Sequence, residues 1–174
     1  MFKEVSTVGE NISPGAGILP ISKKDGNIYF LFGKEYELNL WSDFGGKAEK
    51  NEDMFSCAIR EGYEESNGFF ELDYKTLYKT VNRSIVTTIE SKNYKSFIFL
   101  TEYHELLPYF FNNNFNFVKN TNKHVICQNG YFEKSEIKWF SIHDIKNNKS
   151  LFRDWYIPFI NEIIDNYDSL IKLI

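Results

Sequence analysis

The feature that most restricts this chain is a set of spaced residues: Gly46, then Glu52, then Arg60-Glu61 and Glu64-Glu65. The last four lie in a segment where Met54, Phe55, Ala58, Ile59 and Gly62 recur at three- and four-residue intervals. That spacing predicts a helix from about Glu52 or Asp53 to Ser66, with one buried stripe. Asp53 or Asn51 suits its start, and Asn67-Gly68 its end. On such a helix Glu61, Glu64 and Glu65 stand at i, i+3 and i+4, so all three project from one side. Like charges so placed repel by roughly a few tenths of a kcal/mol per pair. A divalent cation reverses that sign, because hard cations take carboxylate oxygens together with phosphate oxygens and water. Arg60, four residues before Glu64, is close enough to orient that carboxylate through a charged hydrogen bond. A solvated acidic face is the plain alternative for the three glutamates taken alone.

The surrounding segments read as a mixed α/β chain. Gly15 to Ile21 and Ile28 to Phe32 are apolar runs separated by Ser22-Lys23-Lys24-Asp25-Gly26-Asn27, which predicts a hairpin. The paired glycines Gly45 and Gly46 allow the backbone to approach a ligand closely. Further strands are expected at Leu77 to Val81, Ile85 to Ile89, Ser96 to Tyr103 and Glu136 to Ile142. The Asn clusters of Phe110 to Asn122 read as loop, within an Asn/Phe-rich insertion over about residues 106–128, whose Phe residues could anchor it to the body. The tail, Arg153 to Leu173, has the period of one amphipathic helix, with Trp155 in its apolar stripe.

The array from Gly46 to Gly68 resembles the Nudix box: a glycine, five residues, a glutamate, seven residues, then Arg-Glu-bulky-x-Glu-Glu. Gly46, Glu52, Arg60, Glu61, Glu64 and Glu65 all match at the required spacing. Gly62 and Gly68 stand where bulky residues are usual, and Asn67 replaces a glycine. Gly62 in mid-helix costs about 1 kcal/mol against Ala, which suggests that a neighbouring aromatic packs closely on it. The approach Trp41-Ser42-Asp43-Phe44-Gly45-Gly46-Lys47 and the later Glu136-Ile137-Lys138-Trp139-Phe140 also look like elements of that family.

The resemblance implies a single domain over residues 1–174: an α/β/α sandwich with a central mixed sheet and a loop-helix-loop box. It implies a hydrolase of nucleoside diphosphate derivatives, using Mg²⁺ or Mn²⁺ held by Glu61, Glu64, Glu65 and the Gly45 carbonyl. Glu52 would brace Arg60 or bind a further metal through water. The catalytic set would be Arg60, Glu61 and Glu64, with Glu136 a candidate base; Glu61, Glu133, Glu102 and Glu105 are others. Lys47 could meet a phosphate, and Trp41 could stack on a base. Cap hydrolysis on mRNA and a catalytically silent nucleotide-binding module are the rival readings. A homodimer stays open.

Composition limits the alternatives. The chain has 174 residues, 43% hydrophobic, enough for one domain with a sizeable core. A net charge of −4 argues against a surface built for nucleic-acid backbones, so RNA enters only as a capped substrate. Cys57 and Cys127 make no disulfide framework, which suits a reduced compartment. No apolar run is long enough to span a bilayer, and the stretch beginning Met1-Phe2-Lys3 lacks the pattern of a secretory leader. A soluble, cytoplasmic protein is expected. His104, His124 and His143 share no ligand spacing.

Overall fold

A computed structural model describes residues 14–174. The reading of the N-terminal stretch as leaderless concerns residues 1–13 and lies outside that range. The centre is a mixed sheet of seven strands. β1 (Gly15–Lys24) and β2 (Asn27–Glu35) form the expected hairpin, with Ile21 opposite Phe30 and Lys24 opposite Asn27. On its other edge β1 runs parallel to β6 (Tyr94–Leu100), which pairs antiparallel with β5 (Ile85–Ser91). The first half of β1 also pairs with β4 (Phe44–Lys47), Gly17 opposite Gly45. β2 carries the short β3 (Trp41–Ser42) and, on its far edge, β7 (Lys134–Ser141).

Because β1 is covered on both faces, its residues alternate between two cores. Ala16 and Ile18 join one cluster, Leu19 and Ile21 the other, and none is exposed. The first cluster packs under α1 (Met54–Glu65), α2 (Tyr74–Ser84) and α3 (Leu107–Thr121). The second lies under α4 (Ile142–Asn147), α5 (Ile157–Asp165) and α6 (Tyr167–Leu173). The result is the three-layered α/β/α sandwich with a mixed sheet that was expected. No helix of the described residues is long and apolar enough to cross a membrane.

Three expectations are corrected. Leu77 to Val81 is part of α2 and not a strand: Asp73 caps the helix by accepting from the Thr76 amide at 3.0 Å. Leu77 and Val81, four apart, form its buried stripe. The segment Phe110 to Asn122 is α3 and not loop. Its asparagines are weak helix formers, but Phe111 and Phe115 are buried at helical spacing, and packing overrides propensity. Asn112 Oδ1 also accepts from the Ile137 amide of β7 at 2.9 Å. The tail is not one helix: a 3₁₀ turn at Asp154–Tyr156 precedes α5, and Asn166 separates α5 from α6. Trp155 thereby leaves the helical stripe.

Candidate active site

α1 is the element on which the site is built. Asp53 Oδ1 accepts from the amides of Phe55 and Ser56, each at 3.0 Å, and fixes the first turn. The helix ends as the sequence predicts, with Asn67 and Gly68 both at positive φ, 51° and 74°. Gly62 faces β1: a Cβ there would stand 2.3 Å from Ile18 Cδ1. The close neighbour is therefore an isoleucine and not the aromatic ring suggested by the sequence.

Arg60 gathers the charges of the helix. Its Nε donates to Glu52 Oε1 at 2.9 Å and its Nη2 to Glu52 Oε2 at 3.0 Å, a two-pronged pair that fixes the guanidinium plane. Nη1 donates to Glu61 Oε1 at 2.8 Å and Glu64 Oε2 at 3.2 Å, and Nη2 to the Lys47 carbonyl at 2.9 Å. One arginine thus ties the helix to the end of β4. The Glu52 hydrogen bonds, foremost, raise its pKa and hold it charged.

Glu61 and Glu65 border a cleft of about 470 Å³, with Gly45, Gly46 and Lys47 on the same wall. The Glu61 carboxyl lies against Gly46, where any Cβ would stand 2.6 Å from it. Glu65 Oε2 accepts from the Gly45 amide at 2.8 Å. Glu65 is only 2% exposed, more enclosed than a residue on a solvated helix face. Burial raises its pKa well above the ordinary value, with Lys134 opposing. Burial also raises Glu61, against Arg60, and Glu64, against the same arginine.

Beneath the cleft is a polar group that sequence reasoning missed. The Lys134 ammonium, wholly buried, donates to Glu35 Oε1 at 2.6 Å and Ser42 Oγ at 2.9 Å, and lies 3.4 Å from Glu65 Oε1. An irregularity between Lys34 and Glu35 shifts the β2–β7 register so that Glu35 pairs with Lys134. Gly33 makes room for the lysine stem, since a Cβ there would meet Lys134 Cδ at 2.9 Å. Burial pushes the Glu35 pKa up, but Lys134 and Arg153 outweigh it and leave it lowered. Arg153 Nη1 donates to the same Glu35 oxygen at 3.0 Å. Asp43, also buried, accepts from Ser96 Oγ at 2.7 Å and Tyr94 Oη at 2.9 Å; burial nevertheless raises its pKa to about 6. These partners lie far apart in the sequence, so spacing gave no sign of them.

The candidates from sequence are divided by the fold. Gly45, Glu61, Glu65 and Lys47 share the cleft, Arg60 braces them, and Glu133 lines the same cleft. Glu64 is held by Arg60 and lies against Gly130. Glu136 is not in the cleft: it pairs with Lys34 across β7 and β2 at 3.6 Å. Glu102 and Glu105 are exposed and pair with His104 and Lys24. Trp41 does not offer a stacking face; it is 4% exposed, its ring 5.0 Å from Phe140 within the core.

Among the described residues no three His, Cys, Asp or Glu side chains converge closely enough to hold a metal ion. Glu64 is drawn aside by Arg60, and Lys134 stands on Glu65. The donor set still fits a hard divalent ion in its chemistry. Glu61 and Glu65 bring carboxylate oxygens to one glycine turn at the cleft, the oxygen donors that such an ion takes.

No protein-family model and no curated protein matches the sequence. Likeness appears in three dimensions, where the chain carries the fold of the Nudix hydrolases. It is similar to a C. elegans Ap4A hydrolase at TM-score 0.54 and 17% identity, covering 89% of this chain and 98% of the other. A Nudix hydrolase from M. smegmatis aligns at TM-score 0.55 and 10% identity, over 90% of this chain and 87% of that one. A bifunctional NMN adenylyltransferase/ADP ribose pyrophosphatase from Francisella tularensis, complexed with AMP and a Mn ion, aligns at TM-score 0.50 and 13% identity. That match covers 88% of this chain and 42% of the larger protein.

Proposed function

We propose that this protein is a divalent-metal-dependent hydrolase that cleaves the diphosphate linkage of a small nucleoside diphosphate derivative. The observation that carries the reading is the meeting of Glu61 and Glu65 with the Gly45–Gly46 turn in one cleft, braced by the Arg60–Glu52 pair. The names of its structural neighbours, an Ap4A hydrolase and an ADP ribose pyrophosphatase, support the same class of chemistry.

Glu61, Glu65 and the Gly45 backbone would hold Mg²⁺ or Mn²⁺, with Glu64 joining once Arg60 yields it. Such an ion neutralises phosphate oxygens and acidifies water when bound. The chain's own residues set the rest. Lys47, on the cleft wall, meets the phosphates as a flexible cation. Arg60 fixes the direction of Glu61. Glu133 serves as the general base: it lines the cleft, and its pKa is raised by burial first and Glu35 second. The chain's compartment is proposed to be the cytoplasm.

A panel of nucleoside triphosphates, dinucleoside polyphosphates, ADP-ribose and capped RNA, incubated with Mg²⁺ or Mn²⁺ and read by mass, tests this. Hydrolysis of a small nucleotide at its pyrophosphate, stopped by EDTA and restored by metal, is expected. Capped RNA as the sole substrate would replace this reading with decapping, and no turnover of any member would leave only a binding module.

A further inference from the structure

The part of the cleft lined by Tyr94, Arg153, Trp155 and Phe159 is built differently. Trp155 lines it and is 38% exposed, whereas the other two tryptophans, Trp41 and Trp139, are 4% and 7% exposed and belong to the cores. The indole is held by rings that meet it at steep angles: Tyr94 at 4.8 Å and 61°, Tyr156 at 5.3 Å and 83°, Phe159 at 6.2 Å and 80°. None of these three lies parallel to it. The Arg153 guanidinium sits over the ring, 5.2 Å from its centroid, and is itself fixed by Glu35 at 3.0 Å. An exposed aromatic locked this firmly costs little further entropy when a flat partner arrives.

We infer that Trp155 and Arg153 form the subsite for the nucleobase of the substrate, with the base stacked on the indole and the phosphates directed toward Lys47 and the α1 carboxylates. This rests on the proposed function for the direction of the phosphates, not for the stacking. A cleft of about 470 Å³ is at the small end of ligand sites, room for one nucleoside diphosphate and little more. The second moiety of the substrate therefore lies outside, and the enzyme reads one nucleoside while tolerating variation in the group attached to it. The Arg153–Glu35–Lys134–Glu65 series of contacts joins this subsite to the carboxylate that meets Gly45.

The test compares the full-length protein with Trp155→Ala and Trp155→Phe, using α,β-methylene-ADP and its guanine counterpart as ringed probes and methylenediphosphonate as the ring-free probe. Calorimetry with Mg²⁺ present gives the affinities, and thermal unfolding checks that each variant is folded. The wild type is expected to bind one ringed probe about tenfold or more tighter than the ring-free one, the range of base–aromatic stacking. Binding should quench tryptophan emission, since Trp155 alone of the three is open to the cleft. Trp155→Ala should lose both the preference and the quenching, and Trp155→Phe should keep most of the preference. Equal affinity for ringed and ring-free probes in the wild type overturns the inference, as does a folded Trp155→Ala that keeps the preference. Ring-dependent binding without hydrolysis of any pyrophosphate sinks the proposed function and leaves this subsite standing.

Discussion

Lys134 and Glu65 face each other 3.4 Å apart with essentially no solvent on either side chain. A lysine from β7 is thus the counter-ion of the carboxylate that also accepts from the Gly45 amide. The pair links the far edge of the sheet to the box helix, and the same buried cation also meets the part-buried Glu35, which it shares with Arg153.

Removing that cation should therefore be severe. Lys134→Met is expected to cost about 3–5 kcal/mol of stability, because Glu65 would stay buried without its cation while Glu35 kept only Arg153. Urea unfolding checks this, and an unchanged midpoint would show that the cluster is looser than the geometry states.

Asp43 predicts a pH dependence. Its folded pKa, about 6, is above the unfolded value near 3.8, so the folded protein holds this proton more tightly. The stability contributed is full below about pH 4 and is lost as the pH rises through 6, a change of roughly 3 kcal/mol. Asp43→Asn removes the titration, although it disturbs the Ser96 and Tyr94 hydrogen bonds at every pH. The stability of wild type relative to variant should fall between pH 4 and pH 7; a flat difference would mean that Asp43 titrates at its ordinary value.

Gly46→Ala should inactivate without unfolding. Its Cβ would fall 2.6 Å from the Glu61 carboxyl, the movable end of a side chain, so the fold survives while the carboxylate is displaced. A displacement of that size is expected to lower kcat by on the order of a hundredfold. Glu61→Gln should match it in loss and in retained melting temperature.

Gly62→Ala should destabilise. The added methyl meets Ile18 Cδ1 at 2.3 Å and Cγ1 at 2.6 Å, and overpacking typically costs about 1–3 kcal/mol. The gain in helix propensity, about 1 kcal/mol, offsets only part of this. Adding Ile18→Val removes Cδ1 and should recover some of the loss in chemical denaturation.

How much of this was legible in the sequence depends on how local the signal is. α1, its Asp53 cap and its Asn67-Gly68 end were readable because periodicity and capping act within a few residues. The β1–β2 hairpin was readable from two apolar runs around a turn. α2 and α3 were hidden, since aromatic and β-branched content in one, and asparagines in the other, masked stripes of only two buried residues each. Lys134 could not be found, because its partners Glu35 and Ser42 lie 99 and 92 residues away and meet it only through a register shift in the sheet. That Trp155 is exposed and Trp41 buried was hidden for the same reason: their exposure is decided by the break in the C-terminal helices and by Phe140, and neither is a local property.

The most direct test of the central claim is a crystal of the protein soaked in Mn²⁺ and measured for anomalous scattering. A single strong peak bounded by the Glu61 and Glu65 carboxylates and the Gly45 backbone, lost in Glu61→Gln, is the predicted result. A cleft without anomalous signal at millimolar Mn²⁺, with Lys134 still the sole cation on Glu65, would contradict it.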